Sequence, residues 1–125
     1  MGKFTHDDIL DTAINEIKNN ATRICICSQQ PTTAAEAITT YKLAIKTISS
    51  SDFTGPSNGD VSGRKLRSNA HAGVTIDSTG AATHIALVDT VNSKLLHVTT
   101  CTSQNVNGGE LWNIPAFDIE FADPS

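Results

Sequence analysis

The second half of the chain is a succession of short alternating segments separated by turn residues. From residue 72 onward, apolar and polar residues alternate, and the stretches 78–80, 90–93 and 107–109 interrupt the alternation. A period of two predicts strands that bury one face, because successive side chains of a strand point to opposite sides. Short connections join antiparallel neighbours, so we expect one hairpin over 73–77 and 81–89 and another over 81–89 and 94–102. A last strand or strand pair is expected over 111–121, where Pro115 interrupts the pattern.

Residues 6–20 carry their apolar side chains at helical spacing instead. Thr5 is a suitable cap for the start of such a helix. The repeat predicts an N-terminal α-helix over 6–20, whose apolar stripe must be covered by this domain or by a neighbouring subunit. The stripe consists of Ile9, Leu10, Ala13, Ile14 and Ile17.

Two more strands and a loop are expected between this helix and the second half. Residues 22–28 are expected to form a strand, and residues 41–48 alternate as a half-buried strand. Residues 33–38 have the capping-box spacing of a single helical turn. Residues 49–63 are rich in Ser, Gly, Pro and Asn, which predicts a long loop.

The length suits one domain, 1–125, with the helix over 6–20 and a β-rich part over 22–121. The expected fold class is mainly β, an antiparallel β-sandwich or partly closed barrel with an N-terminal α-helix. The predicted core consists of Ile24, Ile26, Leu43, Ile45, Val74, Ile76, Ile85, Leu87, Leu96, Val98, Phe117, Ile119 and Phe121.

The charge balance argues against two classes of partner. Nine Lys and Arg residues against 13 Asp and Glu residues give a formal net charge of -4. Such a chain has no overall attraction for nucleic acid or an anionic membrane. No apolar run approaches the roughly 20 residues of a membrane-spanning helix. We therefore expect no specific nucleic-acid partner and no membrane partner.

The three cysteines are Cys25, Cys27 and Cys101, an odd number typical of reduced thiols. In a strand, Cys25 and Cys27 would lie on the same face, and Cys101 could add a third sulfur ligand for a metal. Structural zinc sites use four ligands at recognisable spacing. Packing as small buried apolar residues is therefore the favoured interpretation, and we expect no metal and no cofactor.

Two groups of side chains raise the question of catalysis. His84 and His97 fall on the two strands of a predicted hairpin, where their imidazoles could approach each other and bind a metal or titrate near neutral pH. Asp118 and Glu120 are spaced as a carboxylate pair on one strand face. Exposed sheet histidines and a solvated strand face explain the same patterns, and neither a Gly-x-Ser-x-Gly elbow nor a phosphate-binding glycine motif is present. We expect no catalytic residue and no enzymatic activity.

Two features favour contacts with other proteins. The apolar stripe of the predicted helix needs a partner surface, and three positive charges within four residues follow the predicted loop. A basic segment beside a flexible loop suits docking on an acidic neighbour, although a solvated loop would have the same composition. The candidate assembly interface consists of Ile9, Ile14, Ile17, Arg64, Lys65 and Arg67.

Most of the chain resembles a family of small virion structural proteins encoded by tailed bacteriophages and prophages. The stretches that carry the resemblance are 58–65 (NGDVSGRK), 81–89 (AATHIALVD), 98–104 (VTTCTSQ) and 113–120 (NIPAFDIE), together with 20–28 (NATRICICS) and 31–33 (PTT) near the start. These motifs are structural and contain no catalytic signature.

The resemblance implies a particle component located in the virion, assembled in the bacterial cytoplasm and without enzymatic activity. The first expectation is a head decoration or surface protein, present as a homo-oligomer, whose partners are other virion proteins, above all the major capsid protein. A neck or tail component is the alternative, and a non-viral, small ligand-binding β-sandwich is the third possibility.

Overall fold

A computed structural model describes residues 5–60 and 62–122 of the chain. The ends of the predicted domain 1–125 and position 61 of the predicted loop lie outside these residues. Two short helical turns, a π-helical turn over Glu36–Thr40 and a 3-10 turn over Ser50–Asp52, accompany the regular elements. Those elements are α1 (Asp7–Asn20), β1 (Arg23–Cys27), β2 (Lys42–Thr47), β3 (Phe53–Asn58), β4 (Arg64–Ser68), β5 (His71–Thr75), β6 (Gly80–Asp89), β7 (Lys94–Val106), β8 (Leu111–Ile114) and β9 (Phe117–Phe121).

Helix α1 confirms the helix predicted over 6–20. Its N-cap is His6 rather than Thr5, because the backbone N–H of Asp8 donates to Nδ1 of His6 at 3.0 Å. Ile14 and Ile17 lie in the core, so the domain itself covers this part of the apolar stripe, whereas Ile9 and Ala13 are exposed. Within the described residues, no helix has the length and apolar character needed to cross a bilayer.

The strands form three antiparallel sheets. The largest has the order β2-β1-β6-β7, the second has the order β3-β4-β9, and β5 pairs with β8 in the third. The sheets do not close into a barrel. The expected mainly-β fold with an N-terminal α-helix is therefore confirmed, in its sandwich form.

The four-stranded sheet has a core on each face. On one face, Ile24 and Ile26 of β1 and their neighbours Leu87 and Ile85 of β6 belong to the main core, which also contains residues of α1 and the two smaller sheets. On the other face lies a smaller cluster, over which residues 34–41 pack. That cluster contains Cys25, Cys27, Ala34, Ala37, Ala86 and Val88.

Most of the predicted core residues are buried. Those at its margin are only half-buried, namely Ile45, Leu96, Val98, Phe117 and Phe121. The set omitted Phe53, Leu66 and Ile114, which are almost completely buried. These residues come from short segments or from the predicted loop, where too few residues alternate to predict which side chains are buried.

The prediction of a loop over 49–63 is wrong. The structure places the 3-10 turn and strand β3 within it, and Ser49 and Asp52 form a capping box. Phe53 is buried and starts the pairing of β3 with β4, and a register shift between Thr54 and Ser57 accommodates the intervening residues. Gly55 has a φ of 117°, which side-chain-bearing residues rarely adopt. Composition alone predicted a loop, because a loop and a bulged strand can have the same composition.

One predicted hairpin is also wrong. The segment 73–77 does not pair with 81–89, since β5 pairs with β8 and β6 lies between β1 and β7. Residues 76–78 are held instead by backbone bonds to other elements: Ile76 N–H donates to Glu110 O, and Asp77 N–H donates to Leu43 O. The chain therefore changes sheets at 76–80 rather than turning back. The hairpin of β6 and β7 is confirmed.

Candidate assembly surface

The structure separates the apolar residues of the predicted assembly interface. Ile14 is 0% exposed and Ile17 is 6% exposed, and both belong to the main core. They cannot reach another protein while α1 is folded, so the prediction is wrong for these two residues. Ile9 is 63% exposed and is the member of the set that faces solvent.

Arg64 holds α1 against β4 instead of projecting freely. Its Nε donates to Oδ1 of Asp11 at 2.8 Å, and its Nη1 donates to Oδ1 of Asn58 at 2.8 Å. The hydrogen bond to Asp11 raises the pKa of Arg64. The positive charge of Arg64 is therefore compensated within the domain.

Lys65 and Arg67 are likewise bound to carboxylates. Nζ of Lys65 donates to Oδ1 of Asp60 at 2.6 Å and lies 3.7 Å from Oδ2 of Asp118. That hydrogen bond raises the pKa of Lys65 and lowers the pKa of Asp60. Nε of Arg67 is 3.2 Å from Oδ1 of Asp118, with the Arg67 side chain 52% exposed. The predicted basic patch is thus largely neutralised, and Arg67 is its accessible member.

The two cysteines of β1 are buried, as expected for small apolar residues. Cys25 and Cys27 are each 0% exposed and lie under residues 34–41. Burial, with a smaller contribution from the neighbouring thiol, raises the pKa of Cys25 to about 12, and burial raises that of Cys27 to about 11. Cys101 is half-buried on β7. Within residues 5–60 and 62–122, no group of three or more potential ligands is arranged to hold a metal.

The two strand histidines do not meet. His84 stands opposite Cys27 and Thr100, whereas His97 stands opposite Leu87, which belongs to the main core. Residues directly opposite each other share a face, so the two imidazoles lie on opposite faces of the sheet. The register therefore excludes the approach of the two rings that the hairpin left open, and the alternative of two separate sheet histidines remains. His97 stacks on Phe117 with ring centroids 6.3 Å apart, and burial lowers its pKa.

The paired acids of β9 have structural partners. Asp118 pairs with Lys65 and Arg67, and Oε1 of Glu120 accepts from the backbone N–H of Asp60 at 2.9 Å. Glu120 thereby fixes the turn between β3 and β4, while Asp118 ties β9 to β4. Asp118 and Glu120 are two residues apart because both side chains lie on the same face of β9, as the alternation predicted.

A feature that sequence reasoning missed is the free edge of β7. This strand has β6 on one side, and no further strand among the described residues pairs with its other side. Leu95, Leu96, His97 and Val98 are all half-buried. Successive side chains of a strand point to opposite faces, so a strand with one exposed face would alternate between buried and exposed residues. Half-burial of every residue in a run instead indicates a strand that is open to solvent along one edge.

Two grooves lie against this edge. One, of about 620 Å³, is lined by Leu95 and Leu96 together with α1, residues 32–34 and Phe121. The other, of about 300 Å³, is lined by Gln30, His84 and residues 98–100. Both grooves are open to solvent, so the edge is accessible from residue 94 to residue 100.

His71 on β5 is a second residue that the sequence did not single out. It is 6% exposed, and its Nε2 has no hydrogen-bond partner within the described residues. Burial lowers the pKa of His71, because a charged ring would lose its hydration there. Burial therefore favours the neutral form of this ring.

No protein-family model, no curated protein and no solved structure matches the chain.

Proposed function

We propose that the protein is a non-enzymatic structural component of a tailed-phage or prophage virion, attached to the capsid surface as a head decoration protein. The observation that carries the proposal is where the resembling stretches lie. Stretches 81–89 and 98–104 belong to the β6–β7 hairpin, and the second of them occupies the open edge of the sheet. One of the stretches that carry the resemblance thus lies on a strand edge suited to contact with other chains.

The hairpin that presents this edge is braced at its turn. Oδ1 of Asp89 accepts from the backbone N–H groups of Val91 and Asn92, and its Oδ2 accepts from Nδ2 of Asn92 at 2.7 Å. The hydrogen bonds from Asn92 lower the pKa of Asp89. A rigid surface loses little conformational entropy on binding, which favours a permanent subunit contact.

The ion pairs support the same role. Arg64 joins β4 to α1, and Lys65 and Arg67 join β4 to β9, so the charged groups connect elements of the fold. Charged side chains used in this way stiffen a subunit and do not converge on a common reaction centre.

The test is the copy number of the chain in purified particles. A tagged copy is expressed in a host that produces the virion, particles are purified by density gradient, and the chain is quantified against the major capsid protein. A copy number close to that of the capsid protein supports the head location. A few to a dozen copies per particle would place it in the neck or tail, and absence from particles would contradict the virion role.

Arg67 provides a sharper test of attachment. Arg67→Glu reverses an accessible charge, and Lys46→Glu makes the same change at an exposed site on β2. If the basic segment docks on an acidic capsid surface, particles lose Arg67→Glu at physiological salt and keep Lys46→Glu. Equal retention of both variants would show that Arg67 makes no contact in the particle.

A second candidate, a small ligand-binding β-sandwich, is favoured by the larger groove. Its volume of about 620 Å³ lies within the usual range for small-molecule sites, and Leu95, Leu96, Ile17 and Phe121 give it apolar walls. The test is a thermal-shift screen with small apolar compounds, with Leu95→Trp as the variant that fills the groove. A compound that stabilises the wild-type protein and not Leu95→Trp would support this function, and no stabilising compound would contradict it.

A further inference from the structure

Strand β7 differs from β2, β3 and β9, which are the other edge strands of the two larger sheets. Edge strands usually carry charges, prolines or irregularities that prevent them from pairing with another chain. Among the described residues, β2 contains Lys42 and Lys46, β3 contains Pro56, and β9 contains two acids. Residues 95–106 of β7 contain no Lys, Arg, Asp, Glu, Pro or Gly.

The exposed part of this edge can be bounded from its pairing. β7 pairs regularly with β6 from His97 to Thr100, and the register shifts on either side of that stretch. Such shifts bend a strand and weaken pairing on its outer edge. The stretch 97–100 is therefore the part whose outward N–H and C=O groups are best placed to pair with another strand.

Side chains on both faces of the sheet would gain from a neighbour here. The register places His97 on the main-core face and Val98 on the face of the smaller cluster, and both are half-buried. The larger groove is lined by Leu95 and Leu96, just before this stretch, and the smaller one by Val98, Thr99 and Thr100 within it. An added strand would lie along the edge and bury apolar surface on both faces, in addition to its backbone hydrogen bonds.

We propose that β7 pairs antiparallel with β7 of a second copy of this chain, so that two four-stranded sheets form one continuous sheet. An antiparallel pair related by a two-fold axis is self-complementary, since each strand offers the other the same donors and acceptors. Because each copy has a net charge of -4, two copies repel each other over the rest of their surface. Contact along the β7 edge brings no like charges together. This favours contact through β7.

The size of the contact sets the expected strength. A stable interface buries about 1,200 Å² or more in total, and a pairing centred on four regular residues is smaller than that. The dimer is therefore weak in free solution and concentration-dependent. This inference goes beyond the virion proposal, and it is tested on the isolated full chain, so that either can fail without the other.

The first experiment is sedimentation velocity over a concentration series of the wild-type protein and two lysine variants. Thr100→Lys places a charge on the proposed contact, and Thr47→Lys makes the same change on the exposed end of β2. We expect dimer in the wild-type protein by about 1 mM, at least about tenfold weaker association for Thr100→Lys and unchanged association for Thr47→Lys. Circular dichroism and thermal melting establish that both variants are folded.

The second experiment locates the two-fold axis. In such a pair one residue of β7 faces its own copy, at a separation that a disulfide can span. One cysteine is introduced at Val98, Thr99 or Thr100 in a Cys101→Ser background, which keeps the buried Cys25 and Cys27. These variants and the wild-type protein with its native Cys101 are exposed to a mild oxidant. We expect a disulfide-linked dimer at one of these positions, and none for Thr47→Cys in the same background.

Three results would overturn the proposal. The first is a monomer at every concentration, and the second is a dimer that Thr100→Lys leaves intact or that Thr47→Lys weakens equally. The third is cross-linking that is absent or uniform along 98–101. Dimer formation sensitive to Thr100→Lys together with one preferred cross-link supports it.

Discussion

Ile14 gives the most direct test of how α1 is used. The side chain is 0% exposed in the main core, so Ile14→Ala removes apolar carbons from a fully packed site. Each buried methylene contributes about 0.8 kcal/mol, and the cavity left behind adds to the loss, so Ile→Ala in a core costs about 2–5 kcal/mol. Alanine is the better helix former by less than about 0.7 kcal/mol, which does not offset this cost.

The assays are urea unfolding and thermal melting of the isolated chain, each followed by circular dichroism and intrinsic fluorescence of Trp112. At roughly 4 °C per kcal/mol for a domain of this size, the melting temperature should fall by about 8–20 °C. Ile9→Ala is the matched control, because Ile9 lies on the same helix and is 63% exposed. Its free energy of unfolding should change by no more than about 0.5 kcal/mol.

One outcome would refute the reasoning. If Ile14→Ala cost as little as Ile9→Ala, and if it weakened association with particles or with a second copy, then Ile14 would be an interface residue. The position of α1 against β3 and β4 would then be wrong. Equal and large losses at both positions would instead show that Ile9 is covered by a contact within the folded domain.

Three further outcomes are expected. Gly63→Ala should destabilise the protein more than Gly73→Ala. Both glycines have a positive φ, which costs about 1 kcal/mol for alanine, but only at Gly63 would a Cβ overlap the carbonyl oxygen of Phe121. This overlap should add about 1–3 kcal/mol to the loss of unfolding free energy, which urea unfolding measures. The pKa values of His71 and His97 are lowered in the folded state, so the unfolded chain binds more protons than the folded one below about pH 6.5. The free energy of unfolding should therefore fall between pH 7 and 5.5, by at most about 1.4 kcal/mol per pH unit for each histidine. His71→Leu should reduce this pH dependence, and a wild-type protein whose stability does not change with pH would contradict both assignments. A thiol reagent should modify Cys101 before the two cysteines of β1, which should react only on unfolding; simultaneous reaction of all three thiols would contradict their burial.

The elements that the sequence predicts best are those with a long regular period. The stripe of α1 extends over several turns, and β6 and β7 alternate on both sides of a short turn. In each case many residues agree on one structure, so single exceptions such as the His6 cap do not alter the result. The shorter strand β3 has too few residues for this, and its Gly55 and Pro56 point to a loop.

The candidate interface was less predictable because burial of a face depends on what the rest of the chain provides. An apolar stripe indicates that α1 is covered, but the same stripe would serve a neighbouring domain, a second copy or, as here, its own core. Three positive charges within four residues likewise do not show which carboxylates will lie next to them in the fold. Asp11, Asp60 and Asp118 are distant from each other in the sequence, and folding brings all three to β4.

Sheet order is the part of the fold that local sequence determines least, and it decides which edge is free. β6 and β7 form one hairpin, yet among the described residues β6 lies between two strands and β7 has one neighbour. Their compositions differ in a way that fits these positions. β6 is largely buried and rich in Ala, Ile, Leu and Val, whereas β7 continues through Thr, Ser, Gln and Asn, with Thr100 and residues 102–105 exposed. Polar, uncharged residues with high β propensity keep an edge strand extended and hydrated without the repulsion that charges would add. The Thr-rich composition of β7 therefore fits both a solvated edge in the monomer and the paired edge proposed for the dimer.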